Sequence, residues 1–191
     1  MNRDTRSQLL TQAEAVVRGQ GYAGFSYADL TERVGIRKAS IHHHFPVKED
    51  LGVALVEAYT ERFARALEDI TAATPAAPER LRAYGGLYRS GLQAGQGCLC
   101  GVLASELNGL PDRIRAGVRR FFDLNADWLE GVIAGGQSDG CVRSDLNARA
   151  QAMAVLASLE GAMLVGRALG SVESFDAAAG ASLMGLQMPA R

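Results

Sequence analysis

The sequence predicts an all-α protein, and three observations carry that expectation. Apolar residues recur at helical spacing in segment after segment, while no period-two alternation survives for the length of a strand. Alanine and glycine are abundant, whereas β-branched and aromatic residues are not, the aromatic share being 6%. The breaks between periodic segments fall at glycines and prolines, the residue types that end helices. At 191 residues the chain can bury a core without staples, as one medium domain or a small domain joined to a larger one.

Taken in order, residues 3–19 form a first helix with Leu9, Leu10, Ala13, Val16 and Val17 on one face, ended by Gly19 and Gly21. The run Gly19 to Gly24 matches G-x-G-x-x-G. A helix rather than a strand precedes it, and histidines rather than an acid lie about twenty residues on, so a dinucleotide site is rejected. Ser26 with Asp29 three residues later is close to a capping box, and Tyr27, Leu30 and Val34 make an apolar stripe that Gly35 ends. After Ile36, a second short helix runs from Arg37 or Lys38 to Phe45 and is closed by Pro46. Two short helices around a tight glycine turn, the second polar and basic on one side, spell a helix-turn-helix.

A long helix is expected over 47–70, with Leu51, Leu55, Tyr59, Phe63, Leu67 and Ile70 on one side, followed by a linker over 71–78. Residues 79–94 follow as a helix, with Leu81, Tyr84, Leu87, Tyr88 and Leu92 inward. A short apolar helix after Gly97 ends at Leu110-Pro111, and a longer one covers 112–134. The loop 135–145 supplies Asp145 as a cap for the helix 146–169. That helix is apolar around most of its circumference, so one side needs a partner beyond its own subunit. A last helix covers 174–187.

The formal net charge of −1 argues against a protein that coats nucleic acid, though not against a local basic face. Residues 1–10 lack the apolar core of a signal peptide, and Glu160 and Arg167 interrupt the most apolar stretch, so a soluble, cytoplasmic protein with no membrane partner is expected. Three cysteines without framework spacing fit a reducing compartment.

The stretch 21–51 resembles the DNA-binding segment of the TetR family of one-component transcriptional regulators. The resemblance rests on Gly21-Tyr22, Phe25-Ser26, Val34-Gly35-Ile36, Lys38-Ala39-Ser40-Ile41, His44-Phe45 and Lys48-Glu49-Asp50-Leu51. Two positions depart: His42 stands where the family usually has a tyrosine, and Val47 where a capping Ser, Thr or Asn is common, a change worth up to about 1 kcal/mol. A looser similarity, to the ligand-binding half of some TetR regulators, lies in Gly97-Cys98-Leu99 and the run to Leu107. The resemblance implies a homodimeric repressor of double-stranded operator DNA. Residues 1–46 would read DNA, and residues 47–191 would dimerise and bind a small-molecule inducer. It further implies that Lys38, Ala39, Ser40 and His43 face base edges, and that Tyr27, Arg37, His42, His44 and Lys48 hold phosphates.

Successive helical residues point about 100° apart, so His42, His43 and His44 cannot converge on one metal ion. The aromatic set Tyr84, Tyr88, Phe121, Phe122 and Trp128 reads either as helical core or as the wall of a ligand pocket. Tyr84, Tyr88, Leu103, Phe122 and Trp128 are the candidate pocket residues. Cys98 and Cys100 have no zinc-ligand partners; they are inert core thiols or sensors of oxidants and electrophiles. No G-x-S-x-G, H-E-x-x-H or P-loop motif is present, so neither an enzyme nor a cofactor is expected. The rival reading is a helical enzyme or ligand carrier in which the helix-turn-helix shape is not used on DNA.

Overall fold

The computed structural model describes residues 2–186, with side chains from residue 5. Among these residues there are nine α-helices, one 3-10 turn and no sheet. The chain packs as two units. Unit 1 holds the residues up to Arg62 together with Leu99–Phe121; unit 2 holds Phe63–Cys98 together with the residues from Phe122 onward. Neither unit ends at residue 46, where the sequence places a boundary.

Unit 1 contains α1 (Asn2–Gln20), α2 (Tyr27–Val34), α3 (Lys38–His44), the first turns of α4 (Lys48–Ala73), α6 (Leu99–Ser105), the 3-10 turn Leu107–Gly109 and the start of α7 (Asp112–Ser138). At the start of α2 the Asp29 carboxylate accepts from the Ser26 N–H at 2.7 Å and its hydroxyl at 2.8 Å. The Ser26 hydroxyl, then its N–H, holds this exposed carboxyl below the usual range. Leu9, Phe25, Leu30, Ile41, Phe45 and Leu51 form the core beneath α3, and Leu99, Ile114 and Phe121 extend it.

Unit 2 contains the later turns of α4, α5 (Ala77–Gln93), the remainder of α7, α8 (Ala148–Leu169) and α9 (Val172–Met184). Several expected boundaries move. The linker shrinks to residues 74–76, because Pro78 falls in the first turn of α5, where a missing N–H costs nothing. α7 continues through Gly135-Gly136 to Ser138, since Gly136 is a packing glycine: a Cβ there would lie 2.6 Å from Val142 Cγ2. Asp145 does not cap α8. Its carboxylate pairs with Arg143 at 2.7 Å, and Asn147 accepts from the Ala150 N–H at 2.8 Å instead. The end expected at residue 187 lies outside the described residues.

α8 sorts into two apolar sides. Val155, Leu156, Leu159, Ala162 and Met163 are buried inside the unit. Ala150, Met153, Ala154, Ala157, Gly161, Leu164, Val165, Ala168 and Leu169 form an exposed stripe at three- and four-residue spacing. On α9, Ala177, Ala181 and Met184 are exposed as well. With Glu160 and Arg167 included, α8 is still long and apolar enough, by length and mean hydropathy alone, to cross a membrane, contrary to expectation. A soluble helix meets that criterion when both its sides are packed.

Candidate DNA interface and ligand-sensing unit

α3 owes its two-sidedness to four residues of spacing. Ile41 and Phe45 point into the core of unit 1, which turns Arg37, Lys38, Ala39, Ser40, His42 and His43 outward. His44 is half-buried, its ring edge-on to His43 at 5.4 Å. His42 packs edge-on against Tyr27 at 5.0 Å, and its Nδ1–H donates to the Pro46 carbonyl at 3.0 Å. A carbonyl can only accept, so this bond fixes the proton on Nδ1 and leaves Nε2 facing away.

Two of the expected phosphate-holding residues have work inside the unit. The Tyr27 ring is buried, and its hydroxyl donates to the Phe45 carbonyl at 2.8 Å, tying α2 to the end of α3. Burial, then the Asp50 charge, pushes this hydroxyl up to about 12. Half-buried Lys48 donates to the Tyr22 carbonyl at 2.7 Å, its ammonium 4.4 Å from the Tyr22 ring centroid and 5.5 Å from that of Phe25. Desolvation holds it below the usual lysine range.

Three neighbours of this head were not singled out in the sequence. Arg6 sits over the Phe45 ring at 5.2 Å, placing an α1 cation beside the end of α3. The Glu106 carboxylate, just past α6, accepts from the Ala23 N–H at 2.9 Å in the turn before α2. Arg113 of α7 reaches Asp50 of α4 at 2.9 Å. A basic or acidic residue carries no local signal for partners this far along the chain.

In unit 2 the aromatic residues meet. Tyr84 is stacked on Trp128 at 5.5 Å and 26°, and Phe63 stands edge-on to both Tyr84 and Tyr88. A chain of polar groups crosses this cluster. The Tyr84 hydroxyl donates to Asn125 Oδ1 at 2.9 Å and lies 3.2 Å from the Tyr88 hydroxyl, which donates to Glu160 Oε1 at 3.3 Å. The Cys98 thiol also donates to Glu160. Burial pushes the Glu160 carboxyl up, partly offset by those two donors. Phe122 is half-buried in the same unit, whereas Leu103 is buried in unit 1. The two candidate sensor thiols are likewise split: Cys98 is buried in unit 2 and Cys100 in unit 1.

Two family profiles match the chain. One, described as bacterial regulatory proteins, tetR family, covers residues 9–55; the other, tetracyclin repressor-like, C-terminal domain, covers residues 77–182. The chain is 29% identical to the HTH-type transcriptional repressor DhaR of Mycobacterium sp. (strain GP1), over 83% of this chain and 80% of that protein. It is 31% identical to the transcriptional regulator AcuR of Cereibacter sphaeroides, over 76% of this chain and 68% of that protein. The crystal structure of a TetR-family transcriptional regulator from Agrobacterium tumefaciens superposes with a TM-score of 0.95 at 34% identity, covering 98% of this chain and 100% of that one.

Proposed function

The chain belongs to the TetR family of bacterial transcriptional regulators, and on that premise we propose that it is a homodimeric repressor that leaves its operator when a small molecule binds unit 2. The observation that carries the DNA half is the outward face of α3, where Lys38, Ser40 and His43 stand free of the core that Ile41 and Phe45 anchor. Lys38, Ala39, Ser40 and His43 are assigned to base edges, and Arg37, His42, His44 and Lys48 to the backbone phosphates. Tyr27 acts as a strut that sets the angle of α3, because its hydroxyl is already spent on the Phe45 carbonyl.

The dimer is assigned to the exposed stripe of α8 with Ala177, Ala181 and Met184 of α9. Small residues at this spacing let helices approach closely, and a two-fold axis would pair the same patch on each subunit. The inducer acts by population shift, favouring a conformation in which the two α3 helices no longer match major grooves about 34 Å apart. Because α4 and α7 each contribute residues to both units, either helix can carry such a shift. Reversible binding is preferred to thiol chemistry, since Cys98 and Cys100 are buried from a reagent in solvent. DNA binding would put the protein in the cytoplasm. A regulator is favoured over an enzyme because the buried Glu160 carboxyl is tied to the Tyr88 hydroxyl and the Cys98 thiol rather than left open to a substrate.

The test is fluorescence anisotropy with DNA flanking the protein's own coding region, at several salt concentrations. Binding that weakens steeply with salt, and whose sequence preference changes in Ser40→Ala and Lys38→Ala, supports the reading. Unchanged binding in the double variant Lys38→Ala/Ser40→Ala refutes it.

A further inference from the structure

Unit 2 carries a groove of about 360 Å³ between the later turns of α4 and the middle of α7, lined by Ala64, Leu67, Glu68, Thr71, Leu124 and Trp128. This volume is within the range of small-molecule sites. Two lining residues carry polar side-chain groups besides the indole. The Thr71 hydroxyl accepts the Trp128 indole N–H at 3.0 Å and donates to the Leu67 carbonyl at 2.8 Å, so its capacity is largely used. Glu68 is different: it is exposed, and among the described residues its carboxylate has no ion pair or hydrogen bond. No basic side chain lines the groove.

The Arg80 guanidinium near the groove is engaged by the Thr71 and Thr74 carbonyls at 3.1 and 2.6 Å, while the groups behind Trp128 are electron-rich. Trp128 backs onto Tyr84, so two electron-rich rings lie one behind the other. The hydroxyl chain from Tyr84 ends at Glu160, which is held by the Tyr88 hydroxyl and the Cys98 thiol rather than by a cation. An indole face attracts a positive charge through its quadrupole, and an unpaired carboxylate attracts it by Coulomb's law. An anion would meet Glu68 unfavourably, and a neutral hydrocarbon would gain only the apolar walls.

We propose that this groove binds a small hydrophobic organic cation, a quaternary or protonated amine bearing an aryl or alkyl group, with its charge between Glu68 and the Trp128 ring. The proposal rests on the reading of unit 2 as the ligand-sensing half and names the class of ligand.

Trp128 is the chain's one tryptophan, so its emission reports the groove directly. Benzyltrimethylammonium is titrated into the full-length protein, with neopentylbenzene as the uncharged isostere and benzenesulfonate as the anionic control. The expected result is a saturable change in Trp128 emission, with the cation binding about ten-fold tighter than either control. In Glu68→Gln the cation's advantage over the isostere falls to about two-fold or less, while the isostere binds as before. Equal affinities for cation and isostere, the lack of a saturable response, or an undiminished preference in Glu68→Gln overturns the proposal. Operator affinity of the same preparations is read separately by anisotropy. Protein that binds the operator but ignores the cation overturns the ligand class alone, and protein that binds no operator overturns the DNA reading whatever the cation does.

Discussion

Leu164 offers the sharpest test of the assembly. It is 69% exposed on α8, in the stripe that also holds Met153, Val165 and Leu169. Fully burying a leucine side chain is worth about 1.5–3 kcal/mol, so roughly two-thirds of that, about 1–2 kcal/mol, is available to each copy. A two-fold axis uses the residue twice, giving about 2–4 kcal/mol for the pair. Leu164→Ala should therefore raise the dimer dissociation constant by roughly 30- to 1000-fold. Leu164→Glu should go further, because each subunit would also bury a carboxylate without a partner. Sedimentation velocity across a dilution series reads both effects, and far-UV circular dichroism checks that the helices persist. Leu107→Glu, exposed in unit 1, is the control and should leave the dimer unchanged. Wild-type dissociation in Leu164→Glu would refute the assignment of this stripe, and so would equal weakening by Leu107→Glu.

Tyr27→Phe removes the donor to the Phe45 carbonyl and should cost about 1–2 kcal/mol in urea unfolding; an unchanged midpoint would mean that the hydroxyl is not a strut. Lys48→Ala should lose about 2 kcal/mol from the Tyr22 carbonyl bond and the ring contacts, and full stability in that variant would contradict the packing described. Gly21 has φ +84°, and a Cβ on it would fall 1.7 Å from the Glu106 carboxylate, so Gly21→Ala should cost about 1–2 kcal/mol for the backbone alone. A neutral result there would count against the left-handed backbone at Gly21. For Glu160 the folded state raises the carboxyl above its unfolded value, so its contribution is full below the ordinary carboxyl range and declines as pH rises through the folded value. Glu160→Gln should thus gain stability relative to wild type between acid and neutral pH, and a difference that stays flat over that range would sink the argument.

The reading head was legible because its signals are local. Ser26 with Asp29 marks the start of α2, Gly35 its end and Pro46 the end of α3, each acting through its own backbone or a bond three residues away. The inward pair Ile41 and Phe45 follows from the same periodicity. The Tyr27 bond was not legible, because in a sequence a tyrosine hydroxyl reads alike whether it donates to a phosphate or to a carbonyl eighteen residues away. On α8 the sequence marks both sides as apolar, so Leu156 and Leu159 look as available to a partner as Leu164 and Val165. Only packing shows that the first two, at 4% and 0% exposure, belong to their own subunit. The cap of α8 was a contest between Asp145 and Asn147, decided by Arg143 two residues before the aspartate. The polar chain through Asn125, Tyr84, Tyr88 and Glu160 joins three helices, and no single window of sequence contains it.

Unit 1 is not contiguous in the chain. Its helix-turn-helix is completed by residues that arrive only after α5 has been passed: Glu106 for the Ala23 N–H, Arg113 for Asp50, and Ile114 in the core. Long-range contacts of this kind pay their loop-closure entropy before they return any stability, which raises contact order and slows folding. A fragment cut after Arg62 would keep every residue assigned to DNA yet lack these late-arriving supports, and one cut after residue 46 would lose Lys48 as well. Such a minimal reader should emerge from expression loosely packed and poor at holding α3 in register. Grafting the specificity of this protein onto another scaffold would have to carry the stretch from Leu99 to Phe121 along with it.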